Sequence, residues 1–367
     1  MDLERIVAQA LTFQAIPSPT FEEGERAAYL HGQFVRLGLQ QVHLDAVGNV
    51  LGRLGPGDTP ALVACAHLYS VFRRTDVIPA RRSGDRLTGP GIGDNALGLA
   101  ALLELAHDLS DQPIGGCVWL VGTVGEEGLG NLRGMHALME GLGALARAYL
   151  VIEGMSLGNV YHRGLPARRL RIRVRTRGGH SWTHAGRPSA VHEIIRLAQR
   201  LLLIPLPSKP RTSLNLGLLE GGTAINAIAA QASLEVDLRS EDENVVAGLE
   251  AAVRLQASAQ SSSDVRVESE SIGSRPGGGI PADHPLVAAA VGCLRAQGVQ
   301  DVHLGAGSTD ASAPLSLGLP AVCVGVTRGS MAHTQDESIE IAPIAQGYAA
   351  LLETVREASH LVCAGEM

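Results

Sequence analysis

Five places in this sequence put a histidine or an acidic residue directly after an apolar run or inside a tight glycine turn. Ligands of open α/β sheets collect at the edge where the strands have their carboxyl ends, so we expect the side chains from these places to converge. Each one taken alone has a simpler explanation, such as a buried histidine or, for Asp94, the N-cap of a helix. Their shared position after strands favours one common site. The residues are His67, Asp94, Glu126 with Glu127, Glu153 and His333.

The chemistry predicted for such a cluster is metal binding. Several carboxylates gathered at one sheet edge repel one another unless cations neutralise their charge. Two imidazoles and three carboxylates form an oxygen and nitrogen ligand set that suits zinc, with cobalt or manganese as alternatives. A single carboxylate, best Asp94, is placed to bridge two ions about 3.5 to 4 Å apart, the usual spacing in two-metal hydrolases. The sequence therefore predicts two divalent metal ions, with zinc as the first choice.

The adjacent pair Glu126 and Glu127 suggests a division of labour. One carboxylate binds metal, while its neighbour stays free to take a proton from the attacking water, because a general base cannot also be used up as a ligand. Two consecutive glutamates on a solvated loop would carry no such meaning. Here they follow a buried strand and precede Gly128 and Gly130, which favours a functional interpretation.

The elements that must position these residues follow an alternating pattern in the first part of the chain. Helical and strand patterns alternate from Met1 to about Ile152, which predicts an α/β layer with a largely parallel sheet. Apolar runs bounded by glycine, proline or charged residues are typical of strands buried on both faces. The predicted strands are 61–66, 117–124, 148–152 and 319–326, and the predicted helices are 3–14, 22–37, 95–109 and 343–359.

In the middle of the chain the pattern changes to alternating apolar and polar residues, as in antiparallel strands with one solvated face. Such strands are predicted at 168–177 and 229–239, with helices at 190–203 and 242–259, in the order β-α-β-β-α-β. The arginines between Arg163 and Arg177 fall on the solvated face of this pattern. We therefore predict a metal-binding catalytic domain, residues 1–166 and 276–367, interrupted by a smaller α+β lid, residues 167–275.

Composition excludes several classes of function. The formal net charge is −7, with 30 basic against 37 acidic residues, and a nucleic-acid binder needs a basic surface instead. No charge-free apolar run reaches the roughly 18 residues of a membrane span. Charged residues between Met1 and Ala15 argue against a signal peptide, so we expect a cytoplasmic protein. The five cysteines are odd in number and lack metal-type spacing, so they are expected to be free thiols.

The order of motifs over nearly the whole chain resembles the metallopeptidase family of carboxypeptidase G, acetylornithine deacetylase and succinyl-diaminopimelate desuccinylase. Several ordered motifs with compatible spacing are a specific signal, whereas one alone would be weak. The motifs are Ala66-His67, Gly91-Ile92-Gly93-Asp94-Asn95, Thr123-Val124-Gly125-Glu126-Glu127-Gly128, Ile152-Glu153, Gly179-His180-Ser181, Gly221-Gly222-Thr223-Ala224-Ile225-Asn226, Asp237-Leu238-Arg239, and Ala332-His333-Thr334 with Asp336-Glu337.

This resemblance implies a zinc-exopeptidase-like mixed sheet flanked by helices and interrupted by an α+β lid and dimerisation domain. It implies hydrolysis of an amide bond in a small peptide or N-acyl amino acid, with Glu126 as the general base. Glutamate at position 153 is similar to the carboxypeptidase and deacylase branches of the family. The implied ligands are Asp94 between two zinc ions, His67 and Glu153 on one ion, and Glu127 and His333 on the other.

The resemblance also assigns roles to the middle domain. A histidine matching His180 reaches a neighbouring active site and stabilises the oxyanion, which implies a homodimer formed through the lid. Asn226 and Arg239 match positions associated with substrate binding.

One departure from the family pattern concerns the first motif. The family has His-x-Asp there, and this chain has His67-Leu68-Tyr69. That aspartate orients the ligand imidazole, and loss of such a partner typically costs about 10 to 100-fold in metal affinity or activity. Water or another acid, such as Asp76, is expected to serve His67 instead. The alternative is an inactive or weakly active homologue that binds peptides, although pure binding would not require Glu126.

Overall fold

The computed structural model of this chain describes residues 1–57, 59–76, 78–111, 114–126 and 128–367. They form two compact units: the large unit, Met1–Gly164 with Gly278–Met367, and the small unit, Leu165–Gly277. The domain boundaries expected from the sequence, 1–166 with 276–367 and 167–275, differ from these by two residues at each junction.

The helices and strands are numbered in chain order. The helices are α1 (Leu3–Ala15), α2 (Gly24–Arg36), α3 (Leu97–Asp111), α4 (Arg133–Leu142), α5 (Ala190–Leu201), α6 (Glu243–Ser258), α7 (Pro285–Ala296), α8 (Ser312–Ser316) and α9 (Ala342–Ala364). The strands are β1 (Gln40–Leu44), β2 (Val50–Leu54), β3 (Ala61–His67), β4 (Arg81–Ser83), β5 (Arg86–Thr88), β6 (Cys117–Thr123), β7 (Ala146–Glu153), β8 (Asn159–Gly164), β9 (Ala167–Arg175), β10 (Gly179–His180), β11 (Thr212–Gly221), β12 (Ala227–Ile228), β13 (Gln231–Ser240), β14 (Arg266–Arg275), β15 (Gly278–Gly279), β16 (His303–Gly307), β17 (Ala321–Gly325), β18 (Gly329–Ser330) and β19 (Ser338–Glu340).

The main sheet of the large unit has the strand order β1-β2-β6-β3-β7-β17-β8-β15, and β16 pairs with β8. Its four central strands, β6, β3, β7 and β17, are parallel, whereas β2 joins β6, and β8 joins β17, in antiparallel fashion. The predicted α/β class with a mixed sheet is confirmed. The expectation of a largely parallel sheet holds for these four central strands and for the pairing of β16 with β8. The remaining pairs are antiparallel, and the short turn between β1 and β2, for example, can join only antiparallel strands.

The central strands owe their position to continuous apolar runs. Every residue of β3 and β6 is buried, and α3 and α9 pack against β3 and β7. Side chains such as Leu62 and Val121 are completely shielded from solvent, and burial of each contributes about 1.5 to 3 kcal/mol. The rigid centre of the sheet therefore presents the carboxyl ends of three neighbouring parallel strands.

A second, four-stranded sheet of the large unit, β18-β19-β5-β4, was not predicted. Its strands are two or three residues long and include the exposed arginines Arg81 and Arg82, so they lack the alternation that marks a strand in a sequence. The sheet joins residues 329–340 to residues 81–88. Two segments distant in the sequence are thereby held side by side.

The small unit is an antiparallel sheet in the order β11-β13-β9-β14, with α5 and α6 packed on β13 and β9. Leu170, Ile172 and Val174 of β9 are buried, while the alternate residues Arg169 and Arg171 pair with carboxylates of β13 on the other face. The structure therefore has the predicted β-α-β-β-α-β order and the solvated arginine face. Among the described residues, no helix is long and apolar enough to cross a membrane.

Candidate metal centre

The ends of the central strands bring three predicted site residues to one edge of the main sheet. His67 is the last residue of β3 and Glu153 the last residue of β7, and these strands pair in parallel. On the other side of β3, His67 is level with Thr123, the last residue of β6, so Glu126 follows three residues later. The strand order β6-β3-β7 thus explains why these residues meet.

Asp94 reaches the same edge from the loop before α3. Its neighbour Asn95, joined to it by a cis peptide bond, is completely buried and fixes the loop to β7. The Asn95 side chain donates to the carbonyl of Ile152 at 2.8 Å and accepts from the N–H of Gly154 at 2.8 Å. Glu153 lies between these two anchors, so the amide of Asn95 aligns Asp94 with Glu153.

The distances between the converging atoms fit a bound cation. Nε2 of His67 lies 3.0 Å from Oδ1 of Asp94 and 3.6 Å from Oε2 of Glu153. One ligand atom from each of these residues lies within 4.8 Å of the other two. Tetrahedral zinc has ligands at about 2.0 to 2.1 Å, which places ligand atoms about 3.3 Å from one another. The observed separations lie on both sides of that value.

His333 approaches Asp94 from the opposite side. Its Nε2 lies 2.8 Å from Oδ2 of Asp94, so each oxygen of this carboxylate faces a different imidazole. The loop that carries His333 is tied to the Asp94 loop by Glu337, which is completely buried. Glu337 accepts the backbone N–H groups of Gly93 at 2.7 Å and of Asp94 at 2.8 Å. Asp94 is therefore held between two potential metal-binding groups.

The electrostatics of the cluster favour positive charge. Burial lowers the pKa of His67, but Glu153 and Asp94 outweigh it and raise that pKa well above its usual value. Burial raises the pKa of Asp94, but the hydrogen bonds with His333 and His67 hold it well below its usual range. These partly buried carboxylates thus stabilise a cation at the position between them, either a proton on an imidazole or a divalent metal ion.

Of the two adjacent glutamates, only Glu126 lies within the described residues. Glu126 is 1 % exposed and follows β6 on the loop next to His67. Glu127, the other predicted ligand on this loop, lies outside the described residues. Four of the five predicted ligands, His67, Asp94, Glu153 and His333, are therefore brought together by the structure.

The environment of His67 reflects the departure at Tyr69. Nδ1 of His67, which faces away from Asp94, is buried and has no hydrogen-bond partner within the described residues. Tyr69 is 5 % exposed, and its ring centroid lies 6.3 Å from that of His67. The prediction that Asp76 serves His67 is wrong, because no described residue accepts a hydrogen bond from Nδ1 of His67, and the Asp76 carboxylate accepts one from the Thr75 hydroxyl instead.

The donor set and its geometry fit a metal centre. Imidazole nitrogens and carboxylate oxygens suit zinc, cobalt or manganese. His67, Asp94 and Glu153 would hold one ion, and Asp94 with His333 would contribute to a second. The unpartnered Nδ1 of His67 is consistent with this assignment, because it leaves Nε2 as the ring nitrogen directed at the cluster.

The predicted residues of the small unit have a different setting. His180 is exposed, and its Nδ1 accepts the backbone N–H groups of Trp182 at 3.2 Å and Thr183 at 3.3 Å. Asn226 is exposed, and its main-chain carbonyl accepts a hydrogen bond from the N–H of Ser181 at 3.0 Å. Asn226 therefore supports the turn that carries His180. Nε of Arg239 donates a hydrogen bond to Oδ1 of Asp237 at 2.7 Å.

Sequence reasoning missed several buried polar residues around the site. Glu337 was quoted only as part of a motif, and its contact with the Asp94 loop depends on a pairing across 244 residues of sequence. Asp310 accepts a hydrogen bond from the Thr123 hydroxyl at 2.5 Å at the end of β6. Glu23 and Arg26 contact the neighbouring loops. Apart from the motif that includes Glu337, no signal in the sequence separates these residues from ordinary surface charges.

Comparisons with known proteins find similar sequences and similar folds. The profile of peptidase family M20/M25/M40 matches residues 70–357. A succinyl-diaminopimelate desuccinylase of Corynebacterium glutamicum is 25% identical over 363 residues, covering 93% of this chain and 94% of that protein. A tripeptidase from Staphylococcus aureus has a similar structure, with a TM-score of 0.76 at 23% identity, covering 98% of this chain and 99% of the other. A dinuclear metal-binding peptidase of Bacillus subtilis gives a TM-score of 0.67 at 14% identity, covering 98% of both chains.

Proposed function

This chain belongs to peptidase family M20/M25/M40 and is a metal-dependent peptidase or amidohydrolase, and we propose that it cleaves an amide bond of a small peptide or N-acyl amino acid. The resemblance drawn from the ordered motifs is thus confirmed at the level of the family. Two divalent ions are supported by the family and by its dinuclear members, and zinc is the proposed metal.

The observation that carries the proposal is the position of Asp94. One carboxylate oxygen faces His67 and the other faces His333, as expected of a carboxylate that bridges two ions. We propose that His67 and Glu153 complete one metal site, and that His333 and Glu127 complete the other.

When bound, the two ions would polarise the substrate carbonyl and lower the pKa of water toward 7. Glu126 would then act as the general base. Its carboxylate takes a proton from the attacking water as the carbon–oxygen bond forms, and it passes that proton to the leaving nitrogen as the carbon–nitrogen bond breaks. Its burial supports this role, because electrostatic interactions that assist a proton transfer are stronger in a site that excludes bulk water.

The small unit would complete the site through His180. Because Nδ1 accepts two backbone N–H groups, a neutral His180 carries its proton on Nε2. That N–H is the donor needed to stabilise the oxyanion of the tetrahedral intermediate. Asn226 and Arg239 are proposed to bind substrate, Arg239 through a guanidinium whose orientation is set by Asp237.

We further propose that two chains pair through the small unit. One edge of its sheet, β14, carries charged residues such as Glu268 and Glu270, which discourage pairing. The other edge, β11, exposes Leu218 and Leu219 at 56 % and 50 %. Leu203, just after α5, is 78 % exposed. An exposed apolar surface beside an unpaired strand edge is typical of an interface between copies of a chain.

The substrate class is supported by the names of similar proteins. The similar protein from C. glutamicum is a succinyl-diaminopimelate desuccinylase, and the similar structure from S. aureus is a tripeptidase. N-acyl amino acids and short peptides are therefore the substrates to test first. A cytoplasmic location stays a prediction.

A weakly active or inactive homologue that binds peptides is the second candidate. The observation that favours it is the buried Nδ1 of His67 without a partner among the described residues, since an unsupported ligand imidazole binds metal less well. The burial of Glu126 beside the cluster favours the active enzyme.

Elemental analysis combined with a substrate screen tests the proposal. Purified protein reconstituted with zinc should contain close to two ions per chain, and a chelator should abolish hydrolysis of N-acetyl, N-succinyl or dipeptide substrates. Asp94→Ala should lose both ions, because its carboxylate is shared between the two sites. A folded wild-type protein with almost no metal after reconstitution would overturn the two-metal function, and two bound ions without turnover would favour the binding homologue.

A further inference from the structure

Two side chains at the start of α2 form hydrogen bonds with the main chain of two loops at the candidate site. Glu23, directly before the helix, is 3 % exposed, and its Oε1 accepts the N–H of Gly125 at 2.9 Å. Arg26, in the first turn, is 1 % exposed, and its Nη1 donates to the carbonyl of Leu68 at 2.8 Å. Gly125 directly precedes the proposed general base Glu126, and Leu68 directly follows the proposed metal ligand His67.

Arg26 is an unusual residue to bury. Its Nη2 donates to the carbonyl of Ile16 at 2.9 Å, but its Nε has no hydrogen-bond partner in the described part of the chain. Burial lowers the pKa of Arg26 to about 10, against an opposing effect of Asp94, so the guanidinium stays charged at neutral pH. No carboxylate of the described residues lies within ion-pair distance of it.

Burial of such a charge is costly, and an apolar side chain of similar volume usually stabilises a core at least as well. A guanidinium is preferred where its rigid fork must hold two acceptors at fixed positions. Here the acceptors are the carbonyls of Leu68 and Ile16. The cost is explained if the placement of the chain after His67 matters for function.

Glu23 has a matching role on the other loop. Its second oxygen lies 3.6 Å from Nη2 of Arg133, which keeps the carboxylate directed at Gly125. The two loops also contact each other, because the N–H of Leu68 donates to the carbonyl of Thr123 at 2.7 Å. Glu23, the N-cap of α2, and Arg26 are three residues apart, so both side chains lie on the same side of the start of the helix.

We propose that Glu23 and Arg26 are positioning residues that set the separation between the metal ligand His67 and the general base Glu126. This inference rests on the proposed function. Both side chains contact main-chain atoms of the loops, so they act through His67 and Glu126 without touching substrate. A displacement of about 1 Å in such a site can cost about 10²-fold in rate.

Metal affinity gives a test that does not depend on activity. Arg26→Met keeps an unbranched side chain about as long as the aliphatic stem of arginine but removes both guanidinium donors, so His67 should lose its fixed orientation. Zinc affinity, measured by competition with a chromophoric chelator, should fall about 10 to 100-fold for one of the two ions, the usual effect of losing a residue that orients a ligand. The absorption spectrum of the cobalt-substituted protein should change with it.

Two further variants separate positioning from general stability. Arg275→Met removes another buried arginine, 2 % exposed and located in the small unit, and should leave zinc affinity within twofold of wild type. Arg26→Lys keeps the charge but not the fork, so it should show an intermediate loss, and it replaces Arg26→Met if the latter does not fold.

The role of the Glu23 carboxylate is tested by comparing a substitution that removes the hydrogen-bond acceptor with one that keeps it. Glu23→Ala should lower kcat at least 10-fold, whereas Glu23→Gln should retain most of it, because the amide oxygen can still accept the N–H of Gly125. Unchanged zinc affinity and cobalt spectrum in a folded Arg26 variant, or equal kcat for Glu23→Ala and Glu23→Gln, would overturn the inference. Failure of wild type to bind zinc would instead refute the proposed function.

Discussion

The two units carry their predicted site residues in opposite ways. In the large unit the side chains of His67, Asp94 and Glu153 are 2 %, 16 % and 18 % exposed, and each lies within ion-pair distance of another. In the small unit His180 is exposed, and its hydrogen bonds to other described residues reach no farther than four residues along the chain. Trp182, two residues after His180, and Ile225, directly before Asn226, are both strongly exposed.

This difference separates two kinds of contribution to a site. Charges that are largely buried together have their mutual orientation fixed by the fold, so we expect the large unit to bind and orient metal through its own residues. An exposed histidine near exposed apolar side chains lies on the kind of surface that marks an interaction site, so we expect His180 to act where substrate or a partner covers it. We therefore expect substitutions in the large unit to act on metal and proton transfer, and those in the small unit to act on the reaction after substrate has bound.

The largest effect on turnover with metal still bound is expected at Glu126. Glu126→Gln removes the proton acceptor but preserves the shape of the side chain, so kcat should fall about 10² to 10⁴-fold, the contribution of a positioned base. Metal content should stay near the wild-type value. Steady-state kinetics and elemental analysis of the same preparation measure both quantities.

Glu127→Ala is the matched control for this prediction, since it should lose metal as well as activity. The opposite pattern, with metal lost in Glu126→Gln and kept in Glu127→Ala, would reverse the assignment of the two glutamates.

A smaller effect is expected at His180 in the small unit. His180→Ala removes a donor to charge that develops in the transition state, so kcat should fall about 10² to 10³-fold with little change in KM. His192→Ala, which removes another exposed histidine of the same unit, should have no such effect. A rise in KM at constant kcat would instead make His180 a substrate-binding residue.

Mixed dimers locate the site that His180 serves. If it acts across subunits, a dimer of one His180→Ala chain and one Glu126→Ala chain contains one complete active site and should regain activity. Verified mixed dimers that stay inactive would place His180 in the site of its own chain.

The comparison of the units also shows what the sequence could reveal. Convergence of His67 and Glu153 follows from rules about neighbouring parallel strands, because long apolar runs mark β3 and β7 clearly. The alternation in β9 and β13 likewise predicts the small unit. Contacts of Arg26 and Glu337 depend on which distant loop meets each side chain, and no local pattern encodes that.

The short elements were missed for a related reason. Strands β18 and β19 are two and three residues long, too short for any periodicity, yet they hold the loop that carries His333. Helix α4 begins after Leu132, whose φ of 60° lies in the left-handed region. Such a start has none of the Ser, Thr, Asp or Asn N-cap signals on which sequence reasoning depends.

The smallest effect, and the only expected gain, concerns Tyr69 in the large unit. A carboxylate two residues after His67 would accept the N–H of Nδ1, fix the tautomer and strengthen Nε2 as a ligand. A phenol oxygen can accept a hydrogen bond but stays neutral near pH 7. Nδ1 of His67 is buried, and no described residue accepts its hydrogen. Tyr69→Asp should therefore raise zinc affinity or kcat about 10-fold.

Two further variants identify the cause of any gain. Tyr69→Asn supplies an acceptor without charge and should give a smaller increase, whereas Tyr69→Phe, which only removes the hydroxyl, should give none. Zinc affinity by chelator competition and kcat on the best substrate are measured for all three. Tyr69 is itself buried beside His67, so an aspartate that binds zinc no more tightly than wild type would show that the surroundings of His67 have been rebuilt around the tyrosine ring. The orientation of His67 would then depend on packing against the tyrosine. In that case charge interactions would explain less of the difference between the two units than the distances around Asp94 suggest.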